Sequence, residues 1–315
     1  MTTPTFDASQ WALVLGGSSG FGLATAKKLA AEGMSVAIAH RDRRGAMAAI
    51  EPEFQAIRAL GHGFLSFNVD ALAVEGRRTV LDALAERMGD SGRVRVVMHS
   101  IAYGNLKLLA PPRGLGDRAA SARARLAEKL GVDVARVTDA VSALATEVDA
   151  LSELAPPPAY DTDAMLEEED FARTVHSMGT SLAAWTQDLL ARRMFAADAR
   201  VIGMTSEGNE VAWRGYAAVA AAKVALESVC RAMALELAPY GIRSNVVQAG
   251  VTDTPALRLI PGSAQMKAAA RLRNPFGRLT TPADVADVIY LLCTDEARWI
   301  NGTIVRVDGG EHIAG

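Results

Sequence analysis

The chain has 315 residues, 50% of them hydrophobic and 22% charged, with a formal net charge of −3. That is enough apolar material for a sizeable core, and a charge balance too even to single out nucleic acid or an anionic membrane as a partner. No apolar run reaches the ~18 residues of a membrane span, MTTPTFDASQW lacks the parts of a signal peptide, and Cys230 and Cys293 fit no metal or disulfide framework, so a cytoplasmic location is expected.

In chain order, WALVLGG (11–17) is a short apolar run that ends in glycines. FGLATAKKLAAEG follows with apolar residues at helical spacing and a glycine stop at Gly33. MSVAIAH (34–40) reads as a second buried strand, GHGFLSFNV and RVRVVMHSIA hold a third and a fourth, and ARVIGMTS (199–206) and IRSNVVQAG (242–250) supply two more. The helical AAVAAAKVALESVCRAMALELAPYG separates the last two, and GTIVRVDGG closes the chain. Strands alternating with helices predict an α/β fold: a doubly wound, Rossmann-type parallel sheet forming one domain from residues 1–109 and 165–315.

Residues 110–164 interrupt this alternation, between the proline-rich boundaries APPRGLG and LAPPPAYDTD. Val134, Val137, Val141, Leu144, Val148 and Leu151 recur at steps of 3, 4, 3, 4 and 3, which predicts one apolar stripe on a helix of about five turns. DRAASARARLAEKLG before it predicts a shorter helix with mostly basic charges, Arg118, Arg123, Arg125 and Lys129. The expectation is an inserted helical hairpin over 114–154, its stripe buried on the main domain or the partner helix, or else used as a contact for another subunit or a carrier protein.

Two stretches carry candidate cofactor chemistry. GGSSGFG sets Gly16, Gly20 and Gly22 between the first strand and its helix, a turn that lets backbone N–H groups approach a pyrophosphate at the helix N-terminus. HRDRRG ends the second strand, where an adenosine ribose is expected. Arg41, Arg43 and Arg44 suit the 2′-phosphate of NADPH, whereas Asp42 suits the free diol of NADH.

With these features the chain resembles the short-chain dehydrogenase/reductase superfamily, and within it the enoyl-thioester reductases of the enoyl-(acyl carrier protein) reductase branch. VMHSIAYG (97–104), YAAVAAAK, YGIRSNVVQAGVTDTPA and VRVDGGEHIA carry the match. YAAVAAAK holds Tyr216-x6-Lys223, the spacing of that branch; Val219 stands where the Tyr-x3-Lys spacing of other members would put the tyrosine. Seven residues make nearly two helical turns, ~10 Å along the axis, so Tyr216 is expected at or just before the helix start with Lys223 deeper on the same face.

The resemblance implies reduction of a carbon–carbon double bond conjugated to a thioester carried by coenzyme A or acyl carrier protein, with NADPH, or NADH, as cofactor. Hydride goes to the β-carbon, Tyr216 stabilises the enolate oxygen, and Lys223 holds the nicotinamide ribose. Gly16, Ser18, Ser19, Phe21 and Gly22 are implied along the pyrophosphate and adenosine ribose, Asn68 and Val69 beside adenine, and Ser100 and Ile101 beside the cofactor. Val251 and Thr252 are implied at the carboxamide, Thr254 at the phosphate, and Tyr103 and Gly104 at the acyl pocket. Relatives of this kind are commonly homotetramers. Ser206 departs from the branch: it lies ten residues before Tyr216, where many enoyl reductases have a second tyrosine, and seventeen before Lys223, where carbonyl-reducing members place their serine. A 3-oxoacyl-thioester or other carbonyl reductase using Ser206 is therefore one alternative, and a degenerate cofactor-binding interaction protein is another. His99 and His176 are read as structural.

Overall fold

The computed structural model describes residues 5–113, 117–145 and 147–314; residues 1–4, and residues 114–116 and 146 of the expected hairpin, lie outside the described residues. Seven strands form one parallel sheet in the order β3-β2-β1-β4-β5-β6-β7. They are β1 Gln10–Leu15, β2 Ser35–His40, β3 Phe64–Asn68, β4 Arg93–His99, β5 Phe195–Ser206, β6 Ile242–Ala249 and β7 Ile304–Val307. All six residues of β2 are buried, and so is β4 after Arg93. Such continuously buried runs are what a sheet covered on both faces requires.

The two faces divide as the period of two dictates. Leu13 and Leu15 of β1 pack towards α3 (Val74–Met88), α7 (Ser181–Ala191) and α8 (Ala217–Glu236) through Leu81, Leu84, Trp185 and Leu226. Ala12 and Val14 face α1 (Gly20–Ala31), α2 (Met47–Arg58) and α11 (Pro282–Cys293) through Leu29, Phe54 and Ile289. The strand order reverses at β1, which is bordered by β2 and β4. The crevice at the C-terminal ends of those strands is where open α/β sheets bind ligands.

Between β4 and α6 (Glu168–Val175) lie two further helices, α4 (Ala120–Leu130) and α5 (Val134–Leu144). Gly131, at φ +65°, ends α4, and the Asp133 carboxylate caps α5 by accepting from the Ala135 N–H at 3.1 Å. The helical pair is present, but the five-turn helix is not: α5 stops at Leu144, and a 3-10 turn, Asp149–Leu154, follows. Only Val137 and Val141 of the stripe are buried, against Ala127, Leu154 and Ala155, while Val134, Leu144 and Val148 remain over 40% exposed. The small core beneath them ends there. Asp149 is drawn off the helical path into a two-bond pair with Arg271, at 2.6 and 2.7 Å. Arg123, one of the basic charges expected on this helix, is buried, donating to the Leu154 carbonyl at 2.8 Å and paired with Asp117. Two more helices follow β6, α9 (Pro255–Arg258) and α10 (Ser263–Arg273).

Candidate active site

Because every strand runs the same way, the segments leaving β1, β2, β4, β5 and β6 emerge on one edge of the sheet. After β1, Gly16 (φ +84°) lies so close to β4 that a side chain there would press on the Ser100 carbonyl at 2.6 Å. A Cβ on Gly22 would overlap the Gly16 carbonyl. The turn through Ser18, Ser19 and Gly20 is thus kept tight by bare backbone. No side chain caps the N-terminus of α1, and its first turn holds no acidic residue, which leaves a positive helix end open to an anion. Phe21 turns from the first turn of α1 into the core. Thr254 comes from the opposite side: its methyl lies 3.5 Å from where a Gly20 Cβ would stand, and its hydroxyl accepts from the Leu257 N–H at 3.2 Å.

At the end of β2 the four charged residues fall into separate roles. The Asp42 carboxylate faces the buried His40, 2.8 Å from Nδ1, and Asn68 braces the Asp42 backbone by accepting its N–H at 3.2 Å and donating to its carbonyl at 2.9 Å. Arg41 pairs with Asp70 at 3.0 Å and lies 4.6 Å over the ring of Tyr103. Arg43 and Arg44 are exposed and make no ion pair among the described residues. Asp42 is therefore partly committed, while two guanidinium groups stand free. Val69 and Ile101 pack against the core beside this edge.

The third group forms around α8. Tyr216 occupies the N-cap position of that helix, as its spacing from Lys223 predicts. Its Oη lies 3.3 Å from Ser206 Oγ. Burial pushes the phenol above its ordinary pKa, with the Ser206 contact opposing, so near neutrality it is a proton-bearing donor. The ring rests on Gly208, where any Cβ would overlap it. Val219 is buried with Met178 and Ala222 and serves as packing. Lys223 is buried and donates from Nζ to the Met204 carbonyl at 2.9 Å. Burial lowers its pKa to about 8, and Glu227 one turn later works in the opposite direction. Glu227 is itself buried, accepting from Thr205 Oγ1 at 2.5 Å and Asn209 Nδ2 at 2.7 Å.

A π turn, His176–Thr180, joins α6 to α7 and brings backbone against α8: a Cβ on Gly179 would lie 2.8 Å from the Ala222 carbonyl. Ser181 Oγ donates to the Ser177 carbonyl at 3.1 Å, which leaves its oxygen to accept from His99 Nε2 at 2.9 Å and assigns the tautomer. Burial, reinforced by Lys223, holds the His99 imidazole down to about 3, so it stays neutral. Ser177 donates to the Tyr103 carbonyl, and Gly104 is wedged against Thr174, Met178 and Val219. The structure thus brings Ser206, Tyr216 and Lys223 together and the glycine turn opposite Thr254. Tyr103 lies against Arg41. Glu227, Ser181 and Gly208 are additional; the only trace of Glu227 in the sequence is its i+4 spacing from Lys223. Among the described residues no group of three or more His, Cys, Asp or Glu could hold a metal, and no helix is long and apolar enough to cross a membrane.

The bare turn, the uncapped helix end and the free arginines fit a dinucleotide. Comparison with known proteins agrees. Residues 10–110 match the short chain dehydrogenase family, and residues 115–312 match the family described as enoyl-(acyl carrier protein) reductase. The NADH-dependent enoyl-(acyl carrier protein) reductase of Aquifex aeolicus is 37% identical over 135 residues, 43% of this chain and half the length of that protein. A cis-4-hydroxycyclohexanecarboxylate dehydrogenase of Sinomonas cyclohexanicum is 28% identical over 240 residues, 75% of this chain and 94% of that one. In structure, the Aquifex reductase aligns with a TM-score of 0.68 at 24% identity, covering 97% of each chain. A Burkholderia cenocepacia short chain dehydrogenase in complex with NADP aligns at 0.67 and 24%, covering 96% of this chain and 98% of that one. At that identity the structural likeness concerns the fold.

Proposed function

The chain belongs to the short-chain dehydrogenase/reductase superfamily, in the family described as enoyl-(acyl carrier protein) reductase, and on that premise we propose that it reduces the carbon–carbon double bond of a 2-enoyl thioester. The observation that carries the reading is the placement of Tyr216. It occupies the N-cap position of α8 seven residues before Lys223, with a protonated phenol directed at Ser206, while the one-turn position is filled by the buried Val219.

A bound nicotinamide cofactor supplies hydride to the β-carbon. The thioester oxygen gathers negative charge as the enolate forms, the Tyr216 hydroxyl donates to it from a site where burial strengthens the bond, and uptake of a proton at the α-carbon completes the reduction. Lys223 spends one N–H on the Met204 carbonyl and has two left for ribose hydroxyls, and its charge adds positive potential beneath the reacting centre. The N–H groups at the start of α1 and the Thr254 segment clamp the pyrophosphate. Val251 and Thr252 would face the carboxamide, Asn68 and Val69 would border adenine, and Ser100 and Ile101 would lie beside the cofactor. NADPH is the favoured reductant, because Arg43 and Arg44 make no ion pair among the described residues whereas Asp42 is held by His40. The reading includes an acyl thioester on carrier protein or coenzyme A, Tyr103 and Gly104 edging the acyl pocket, and a cytoplasmic homotetramer.

Ser206, hydrogen-bonded to Tyr216, favours one second reading, a carbonyl reductase in which serine and tyrosine both hold the substrate oxygen. Steady-state NADPH oxidation with crotonyl-type and acetoacetyl-type thioesters separates the two. The enoyl reading expects turnover of the crotonyl substrate, a loss of about 100-fold or more in Tyr216→Phe with NADPH binding retained, and a modest effect of Ser206→Ala. A severe Ser206→Ala defect beside an active Tyr216→Phe enzyme overturns it.

A further inference from the structure

We infer that Glu311 and Arg273 are positioning residues that lock the chain's C-terminal turn to the two segments on either side of the reacting centre. Glu311 follows β7 in a turn of consecutive positive-φ glycines, Gly309 (+63°) and Gly310 (+83°). Its side chain is driven inward and left only 2% exposed. One carboxylate oxygen, Oε2, accepts the backbone N–H of Val251 at 3.1 Å; the other, Oε1, accepts from Arg273 Nη2 at 2.9 Å. The same Nη2 reaches Glu207 Oε2, also at 2.9 Å. Glu207 is the residue next to Ser206, and Val251 opens the segment assigned to the carboxamide.

The backbone has been cleared for this contact. A Cβ on Gly250 would stand 2.9 Å from Glu311 Oε2 and 2.5 Å from Thr280 Oγ1. Around the clamp, His312 lies between Glu207 and Glu210, and Glu210 pairs with Arg306 of β7 at 2.9 Å. A buried carboxylate that gives one oxygen to a single backbone N–H fixes the orientation of that peptide plane. Here the plane is the 250–251 peptide. Thr252 continues the same ordered path by donating from Oγ1 to the Gly250 carbonyl at 3.0 Å. Glu311 thereby sets how 251–252 face the nicotinamide, and Arg273 carries the constraint from α10 to the β5–α8 loop. Neither residue needs to touch the substrate.

The inference rests on the cofactor reading above, so the test begins with NADPH binding to the wild-type chain by fluorescence titration; absence of binding there would refute that reading rather than this clamp. Given binding, Glu311→Ala is expected to raise the NADPH Kd roughly tenfold or more, the usual cost of a charged hydrogen bond. Glu311→Gln keeps an acceptor for the Val251 N–H and is expected to stay within about threefold of wild type, as a neutral hydrogen bond would. Arg273→Gln, which leaves the Glu311–Val251 bond in place, is expected to lower kcat more than it raises the Kd. All titrations are run below the thermal transition of each variant, so a merely structural loss shows in Tm and not in Kd. Should Glu311→Ala fail to fold, Glu311→Asp, too short to serve both partners, takes its place with the same expected rise. Wild-type affinity in the alanine (or aspartate) variant, or equal losses in the glutamine variant, overturns the inference.

Discussion

Lys223 is the residue at which burial and chemistry pull hardest against each other. Burial brings its pKa from the ordinary 10.5 to about 8, and Glu227 limits the fall. The folded chain therefore binds fewer protons than the unfolded one between about pH 8 and 10.5, and stability rises with pH across that window. At pH 7 the cost of burying the ammonium is fully present, on the order of 3 kcal/mol. Lys223→Met should thus stabilise the fold in denaturant at pH 7, with the gain shrinking towards pH 10.5, while cofactor affinity and turnover fall. In the intact enzyme kcat/KM should decline as pH rises through about 8. Glu227→Gln should move that decline to lower pH, because the neutral amide no longer favours the ammonium; an unmoved limb would show that Glu227 does not act on Lys223. The Tyr-x6-Lys spacing was legible in the sequence because a helix converts offset into position. Glu227 was not, since its partners Thr205 and Asn209 come from a different segment and meet it only in the folded chain.

At the scale of elements, the helices between β4 and α6 show how far periodicity reads. The helical rhythm from Val134 onward is realised as α5, and the structure adds the cap at Asp133. The end of α5 is not written locally. The 3-4 rhythm runs on to Leu151, but the surface available to bury it ends with Ala127 and Leu154, and Arg271 of α10 claims Asp149. Tertiary contact, absent from any local window, sets the stop. This distinguishes positions that the stripe alone treats as equal. Val141→Asp should destabilise α4 and α5 by about 2–4 kcal/mol through an unpaired buried charge, whereas Val148→Asp, on an exposed site, should stay within about 0.5 kcal/mol. Amide hydrogen exchange of α4 and α5 reads this directly, because such a satellite cluster can open without the main sheet. Equal protection in the two variants would mean that Val141 is not the centre of the small core.

Across the whole molecule, β5 joins two ends with opposite duties. Ser206 sits at its C-terminal end among the candidate catalytic groups; Asp198, eight residues earlier, lies about 26 Å away at 3.3 Å per residue. Around Asp198 converge Arg95 and Arg200, both at 2.6 Å, and Arg243. The last turn of α11 has no basic residue of its own, so Arg200 donates to the Leu292 and Thr294 carbonyls and Arg95 to Cys293, from the strands beneath. The doubly wound parallel sheet could be read from sequence because alternating strand and helix patterns leave few topologies open. This knot could not, since its members are scattered along the chain from Arg95 to Arg243 and each reads locally as an ordinary surface charge. Burial pushes the Asp198 carboxyl up, but the Arg200, Arg95 and Arg243 guanidinium groups outweigh it and hold the pKa low. Asp198→Asn removes the shared anion and leaves three arginines facing one another. Breaking a fully buried pair costs roughly 3–5 kcal/mol; with Asp198 about a third exposed, a loss of about 2–3 kcal/mol in urea unfolding is expected. Because the damage lies at the far end of β5, the folded fraction should bind NADPH as tightly as wild type. A weakened Kd without loss of stability would mean that the two ends of the sheet are not independent.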